Sequence, residues 1–399
     1  MKNIGEVKDC FGCGVCATVC SKNAIKIELN KEGFYVPTLN IDACSNCGLC
    51  IEVCAFLHDD LAVNNNPKHC YGAWSNNGMI RKRCSSGGVG YELGKFLLDK
   101  GYKVCGVKYN VQEQRAEHYI AENEEAFMPT VGSKYIQSYT VDGFKAINRK
   151  EKYLVTGTPC QIDSFRRYIQ KFKIEENFVL MDFFCHSVPS ILAWKKYLQH
   201  VEKKMGRIAY ASWRNKFMGW HDSWAIAVDV DDKARNYDGI DRHNNYNIYI
   251  SEKAHSYNSR LSKGDLFYKL FLGDYCCNPA CQKNCKYKYD RSSADIRIGD
   301  FWGNTYAKNE DGVSAVVAFT DKGDELLKSL DCTLQSFPFE IVAEGQMKKN
   351  AGRHFLADVV HWWLLSSSSR KGLIKVVFFV DWLSRLPQRC INKVKRLLR

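Results

Sequence analysis

The 399-residue sequence has no apolar run long enough to cross a membrane. A spanning helix needs about 20 mostly apolar residues. The nearest candidate, Leu373 to Leu386, is shorter and is broken by Lys375, Asp381 and Arg385. An apolar N-terminal segment is missing too. The chain starts MKNIGEVKDC, polar and charged, so no secretory leader is expected. That makes an oxidising compartment and a disulfide framework unexpected, and the cytoplasm the expected location. Acidic charge is in deficit: 44 Asp+Glu stand against 57 Lys+Arg, a formal net charge of +13. Such a surplus raises nucleic acid as a partner. Its distribution argues against it. Arg370 to Arg399 holds nine Lys/Arg and one Asp, a net +8, leaving only +5 for everything before. No nucleic-acid partner is expected for the body of the chain.

Cysteine is abundant: there are 19, an odd number that excludes complete internal pairing. In a reducing compartment the thiols point to metal. Two stretches carry the same spacing, Cys10-x2-Cys13-x2-Cys16-x3-Cys20 and Cys44-x2-Cys47-x2-Cys50-x3-Cys54. Three thiolates two residues apart wrap one corner of a cubic iron–sulfur cluster, and the fourth is carried off on the following helix to the other cluster. Cys10, Cys13, Cys16 and Cys54 are thus expected on one [4Fe-4S] cluster, and Cys44, Cys47, Cys50 and Cys20 on a second. Structural zinc prefers two Cys pairs per site, which two quartets of this form fit poorly.

These sixty residues resemble a bacterial two-cluster ferredoxin. The Pro that usually follows the fourth Cys is replaced by Ser21 and Ala55, neither a ligand position. Between the runs, AIKIEL and FYVPTL read as two short strands around a turn with Gly33. Residues 61–78, rich in Asn and Gly, read as a linker.

At this length two or three domains are expected, with ordinary hydrophobic (45%) and charged (25%) content. Beyond the linker, continuous apolar strands alternate with helices, so an α/β domain with at least partly parallel strands is expected. Predicted strands include KVCGVKY (103–109), YLVT (153–156), Phe178 to Phe184 and Ala294 to Ile298. Small-residue loops sit beside them. Ser85, Ser86, Gly87 and Gly88 open an apolar-periodic helix, Val89 to Leu98; Gly132, Ser133 and Lys134 form a second turn; Gly157, Thr158 and Pro159 lead into a helix carrying Cys160. Gly-bearing loops at helix N-termini suit a phosphate; a plain Ser N-cap is the other reading of the first.

In their order, Ser-Gly-Gly-Val, Gly-Ser-Lys-Tyr, Gly-Thr-Pro-Cys-Gln, Phe-Cys-His, paired Cys, and Ala-Asp-Ile-x-Ile-Gly-Asp-Phe-Trp-Gly resemble the coenzyme F420 hydrogenase/dehydrogenase beta subunit family over roughly residues 80–320. Chlorophyll-cycle reductases with FAD and iron–sulfur clusters are similar. The resemblance implies FAD and a third [4Fe-4S] cluster. Carried over by residue, FAD would contact Ser86, Gly87, Gly88, Ser133, Lys134, Thr156, Gly157 and Thr158. The third cluster would take Cys160, Cys185, Cys281 and Cys285. The family's final pair is usually Cys-x2-Cys; here three residues separate Cys281 from Cys285, and Cys276 and Cys277 are close enough to substitute. Asn278 stands where an Arg is common. His186, His221 and Asp300 are candidate proton donors or structural hydrogen-bonding groups, with His186 and Asp300 taken as the catalytic pair. Cys70, Cys84, Cys105, Cys332 and Cys390 have no partner spacing and read as packing or free thiols.

The expected architecture is an α+β ferredoxin-like dicluster domain (1–60), the linker, an α/β flavin-binding domain with a mixed sheet (79–340), and a basic helical tail (341–399) with an amphipathic helix. The tail's Trp, Phe and Leu, interleaved with Arg and Lys, fit either peripheral contact with the inner face of a membrane or docking on another domain or subunit. The expected activity is an iron–sulfur flavin-dependent oxidoreductase. It would take electrons from a donor protein (ferredoxin or a hydrogenase/dehydrogenase subunit) and reduce a small organic acceptor, F420-like or an intermediate of surface-polysaccharide synthesis. The rival readings are a non-catalytic electron-transfer subunit and a membrane-associated binding module.

Overall fold

The computed structural model of the protein describes residues 3–230, 257–366 and 371–386. The N-terminal module is small. Strands β1 (Ile25–Leu29) and β2 (Tyr35–Leu39) pair antiparallel, with Ile25 opposite Leu39. Two short helices, α1 (Val15–Val19) and α2 (Leu49–Glu52), each follow a left-handed glycine, Gly14 and Gly48. The hairpin turn predicted around Gly33 is present, with φ of 78°. It presses on the body: Ser190 Oγ donates to the Glu32 carbonyl at 2.6 Å, and Ile191 N to the Gly33 carbonyl at 3.0 Å.

Among the described residues the body is a nine-stranded mixed sheet in the order β14-β3-β13-β12-β8-β7-β4-β5-β6. The strands are β3 (His69–Ser75), β4 (Lys103–Asn110), β5 (Arg115–Ala121), β6 (Ser138–Tyr139), β7 (Tyr153–Thr156), β8 (Phe178–Phe183), β12 (Ile296–Asp300), β13 (Ser314–Ala318) and β14 (Cys332–Ser336). A separate antiparallel sheet holds β9 (Ile208–Ser212), β10 (Ala225–Val230) and β11 (Tyr257–Arg260). Strands β12, β8, β7 and β4 are mutually parallel, as their continuous apolar runs predict. β3, antiparallel to β13, runs the same way as they do. Residues 61–78 are therefore more than a linker. They contain β3, an internal strand that pairs with β13 through Ala73 and Ser314.

The helices of the body are α3 (Gly78–Arg83), α4 (Val89–Asp99), α5 (Glu124–Phe127), α6 (Val141–Lys145), α7 (Pro159–Lys171), α8 (Ile191–Met205), α9 (Leu266–Leu272), α10 (Pro279–Asn284), α11 (Asp321–Lys328) and α12 (Phe339–Val342). Each buried strand feeds both faces, because successive side chains point opposite ways. Leu154, Val179 and Val104 meet Val89, Leu93 and Leu97 of α4 on one face. Tyr153, Val155, Phe178 and Leu180 meet Ile162, Phe165 and Ile169 of α7 on the other. That second core also takes in Val15, Val19 and Ile25, so the N-terminal module completes it.

Two further helices, α13 (Ala357–Leu365) and α14 (Lys371–Ser384), pack beside α8. α14 carries two apolar stripes, one buried and one exposed, in place of the single apolar face of the amphipathic basic helix expected in the tail. Six of the twelve Lys/Arg of residues 341–399 lie after α14. Residues 387–399, Cys390 among them, fall outside the described residues.

Candidate functional site

In each cysteine run a backbone N–H two residues on points back at the first sulfur: Gly12 N to Cys10 Sγ at 3.3 Å, and Asn46 N to Cys44 Sγ at 3.4 Å. Such N–H···S bonds stabilise thiolates. The thiols of Cys10, Cys13, Cys16 and Cys54 are electrostatic neighbours, and so are Cys44, Cys47 and Cys50. Burial, and then repulsion from Cys13, pushes Cys10 up to about 12; burial likewise takes Cys54 to about 12. Cys47 is exposed. Every described cysteine is a free thiol.

The inner quartet faces the body. Cys13 Sγ lies 3.2 Å from Ser164 Oγ on α7, and the Ala55 N–H donates to the same oxygen at 2.9 Å. Thr140 Oγ1 donates to the Cys13 carbonyl at 2.8 Å. Gln137 Nε2 donates to the Phe11 carbonyl at 2.9 Å.

Behind Phe11 a pocket of about 480 Å3, its mouth included, is lined by Cys160, Cys185, Cys281 and Cys285 together. The fold accounts for each. Cys160 is in the first turn of α7, directly after β7. Cys185 follows β8. Cys281 lies on α10 and Cys285 caps its end. α10 is brought in because residues 276–278 pair with 188–190: Ser190 N donates to the Cys276 carbonyl at 2.8 Å and Asn278 N to the Val188 carbonyl at 2.9 Å. Asn278 also caps α10 and donates from Nδ2 to the Cys10 carbonyl at 3.2 Å, tying this helix to the inner run. The thiol of Cys160 has Cys281, Cys185 and Cys13 as electrostatic neighbours.

Burial pushes Cys185 up to about 12, Cys281 to about 11, and Cys160 well above the usual thiol range. Neutral buried thiols in this density are inert. They become thiolates when a metal supplies the compensating charge, so the donor set fits a metal cluster. Two residues beyond the sequence expectation serve the pocket. Lys288 Nζ donates to the Cys185 and His186 carbonyls, both at 2.6 Å, and fixes the loop after β8. Ser187 Oγ is buried, lines the pocket and faces the Cys281 and Cys277 thiols. Neither spacing nor residue type marked them.

Cys277, considered as a substitute ligand, does not line the pocket. Its sulfur groups instead with His186 and Asp274, their ligand atoms all within 4.8 Å of one another. His186 Nε2 is 2.8 Å from Asp274 Oδ1. His221 lies elsewhere, its Nδ1 3.1 Å from Glu310 Oε1. Cys276 packs among Val360, Trp363 and Ile374.

The residues carried over for FAD sit along the C-terminal edge of the parallel strands, where α/β sheets hold ligands. They fall into two groups. Ser133 N and Oγ meet Ser85 Oγ at 2.9 and 3.2 Å, so the loops bearing Ser86, Gly87, Gly88, Ser133 and Lys134 adjoin. Thr156, Gly157 and Thr158 end β7 beside the cysteine pocket, with Thr158 Oγ1 3.2 Å from Cys160 Sγ. Three strands, β13, β12 and β8, separate β3 from β7. At roughly 4.8 Å per step the Ser86–Gly88 loop stands well away from β7, whereas Lys134 holds the Thr130 carbonyl and Thr130 packs on Gly106 of β4, the strand beside β7.

Some of these residues have structural duties. A Cβ at Gly87 would meet the Ala73 carbonyl at 2.2 Å, so this glycine lets the loop close on β3. Gly88 is the left-handed residue before α4. Lys134 Nζ donates to the carbonyls of Pro129, Thr130 and Val131 at 3.0, 2.8 and 3.2 Å. Burial pushes its ammonium down to about 7. In this conformation its donors are committed to its own turn.

Two unforeseen cations lie beside the same loop. Arg214, fully buried, holds Asp300 through Nη1 at 2.7 Å and Nη2 at 3.0 Å; Trp220 Nε1 donates to the same carboxylate at 2.9 Å. Asp300 is therefore arranged as an acceptor that orients a guanidinium. Lys216 Nζ donates to the carbonyls of Arg81 and Asp311 at 2.6 and 2.5 Å and to that of Ser86. Trp213-Arg214-Asn215-Lys216 leads out of β9 into a turn, and nothing in the sequence pattern linked it to Asp300.

Residues 150–333 match the family model that describes the C terminus of the coenzyme F420 hydrogenase/dehydrogenase beta subunit. Residues 9–56 match the 4Fe-4S dicluster domain. No curated protein matches the chain. Among solved structures, a chain of the F420-reducing [NiFe] hydrogenase complex from Methanosarcina barkeri is similar at 16% identity and a TM-score of 0.43, covering 77% of this chain and 90% of that one.

Proposed function

Because residues 150–333 belong to the coenzyme F420 hydrogenase/dehydrogenase beta subunit family and residues 9–56 are a 4Fe-4S dicluster domain, we propose that this iron–sulfur protein is a flavin-dependent oxidoreductase with three clusters. Two would be held by Cys10/13/16/54 and Cys44/47/50/20, the third by Cys160/185/281/285, and FAD by the loops of Ser86–Gly88, Ser133–Lys134 and Thr156–Thr158. When bound, these groups supply one-electron transfer and its conversion to two-electron reduction of an organic acceptor. The chain's own residues bury the inner sulfurs, fix the cysteine-bearing loops through Lys288 and Asn278, and keep Asp300 on Arg214. His186, held by Asp274, is the proton-carrying candidate nearest the cysteine pocket. The acceptor class is F420-like or a biosynthetic intermediate, including those of surface polysaccharides, and the electron donor is a ferredoxin or a hydrogenase/dehydrogenase subunit.

The observation that carries this reading is the gathering of four cysteines from three distant segments on one pocket, against the inner ferredoxin-type quartet. Iron, sulfide and flavin counted on one anaerobic preparation test it. About twelve iron and one FAD per chain are expected. About eight iron and no flavin would leave only the ferredoxin-type module standing.

A further inference from the structure

We propose that the outward faces of α13 and α14 form an in-plane docking platform for an anionic lipid surface. The inference is independent of the redox reading. The two helices meet the body through Val360, Trp363, Leu364, Ile374 and Val377, which share a buried cluster with Tyr275 and Cys276. That contact uses one stripe of α14. A second stripe, Val376, Phe379, Val380 and Leu383, follows the i, i+3, i+4, i+7 spacing and is exposed, with Phe379 at 57%. Trp382, 43% exposed, stacks on Phe379 with ring centroids 6.0 Å apart. From α13 and the turn before it, Phe355, Val359, Trp362 and Leu365 are exposed as well.

A helix apolar on both sides belongs in an interior. Here one side meets protein and the other meets none among the described residues. Exposed apolar surface on this scale marks an interaction site.

Charge selects the occupant. Asp381, the only acid from Arg370 onward, is already engaged by His354 at 3.0 Å and Arg385 at 2.8 Å. Lys375 and Arg385 are exposed beside the apolar stripe. The sequence then adds Arg389, Lys393, Lys395, Arg396 and Arg399 with no acid. A second copy of the chain would bring two such tails together and be repelled. An anionic headgroup layer would attract them while taking up Trp and Phe at the interface. No described helix is long and apolar enough to cross a membrane, so the mode is lying on the surface.

The test is co-sedimentation of the full chain with vesicles of phosphatidylcholine alone and of phosphatidylcholine with phosphatidylglycerol, at low and high salt. Binding to the anionic vesicles, weakened by salt, is expected. The Phe379→Glu/Trp382→Glu pair should lower the bound fraction at least about tenfold. The milder Phe379→Ser/Trp382→Ser pair should lower it less. Iron content and unfolding temperature should not move in either, since these side chains point outward. Replacing Lys393, Lys395 and Arg396 by Gln should remove most of the salt dependence. Full chain left in the supernatant with anionic vesicles overturns the proposal, and so does undiminished binding by both pairs. A concentration-dependent dimer that the Glu pair dissociates, without vesicle binding, overturns it in favour of a self-association surface.

Discussion

The two cysteine runs, 10–20 and 44–54, share their spacing, their N–H···S bond and their left-handed glycine, yet they live in different surroundings. The first faces α7 and the loop before α6; the second is open to solvent at Cys47. Two paired positions record the difference. At Gly12 and Asn46 the backbone is the same, with φ of 65° and 53°. A Cβ at Gly12 would meet Gln137 Nε2 at 2.4 Å and the Tyr35 carbonyl at 2.5 Å, whereas Asn46 uses its side chain to accept from Asn3. A Cβ at Gly14 would meet Thr140 Oγ1 at 2.1 Å; one at Gly48 would meet nothing within 4 Å. Local spacing sets the shape of a cluster loop, and the neighbouring domain decides which side chains that loop tolerates.

Removing one ligand from each run tests the comparison most severely. Cys16→Ser and Cys47→Ser should each lose about four iron. Only the first should also loosen the core shared by the module and α7, because Cys16 is buried there. Its unfolding temperature should fall by at least about 5 °C, while Cys47→Ser should leave the sheet domain's transition in place. Equal transitions in the two variants would show that the inner run is no more structural than the outer.

Next in size is the glycine pair. Both alanine variants carry the cost of a left-handed Cβ, about 1 kcal/mol. Gly14→Ala adds a clash with Thr140, for a total of about 2–4 kcal/mol, and Gly48→Ala adds none. Denaturant midpoints measure both, and matching values would contradict the crowding at Gly14. Chelation in air sharpens the same contrast kinetically. About four iron should leave first, from the solvent-facing run, followed by the rest; a single-phase loss would mean that burial does not protect the inner thiolates.

The eight thiolates and most strands were legible because their signals are local: a spacing, an apolar run, a turn residue. β3 was not. HCYGAWS carries His69 and Gly72, lies after an Asn-rich stretch, and becomes an internal strand only by pairing with β13, more than 200 residues later. The third cysteine set needed resemblance to be seen at all, because its members come together through backbone pairing of 276–278 with 188–190. Arg214 and Lys216 had no sequence signal, since their partners, Asp300 and the Ser86 carbonyl, are distant in the chain. What the sequence hid is long-range pairing.

The smallest expected effect falls on Ser164, the side chain through which α7 touches the inner run. Its oxygen accepts the Ala55 N–H at 2.9 Å, and its hydroxyl can donate to Cys13 Sγ at 3.2 Å once that sulfur is a thiolate. Ser164→Ala would leave the Ala55 N–H unpaired at a cost of about 1–2 kcal/mol. It would also remove a donor that favours the more negative, reduced state of the inner group. The inner reduction potential should move down by some tens of millivolts while the outer one, at Cys44/47/50, stays fixed. Potentiometry followed by electron paramagnetic resonance reads both in one sample. A shift of both potentials together would locate the effect in the whole module, and an unmoved inner potential would mean that α7 holds the run in place without tuning it.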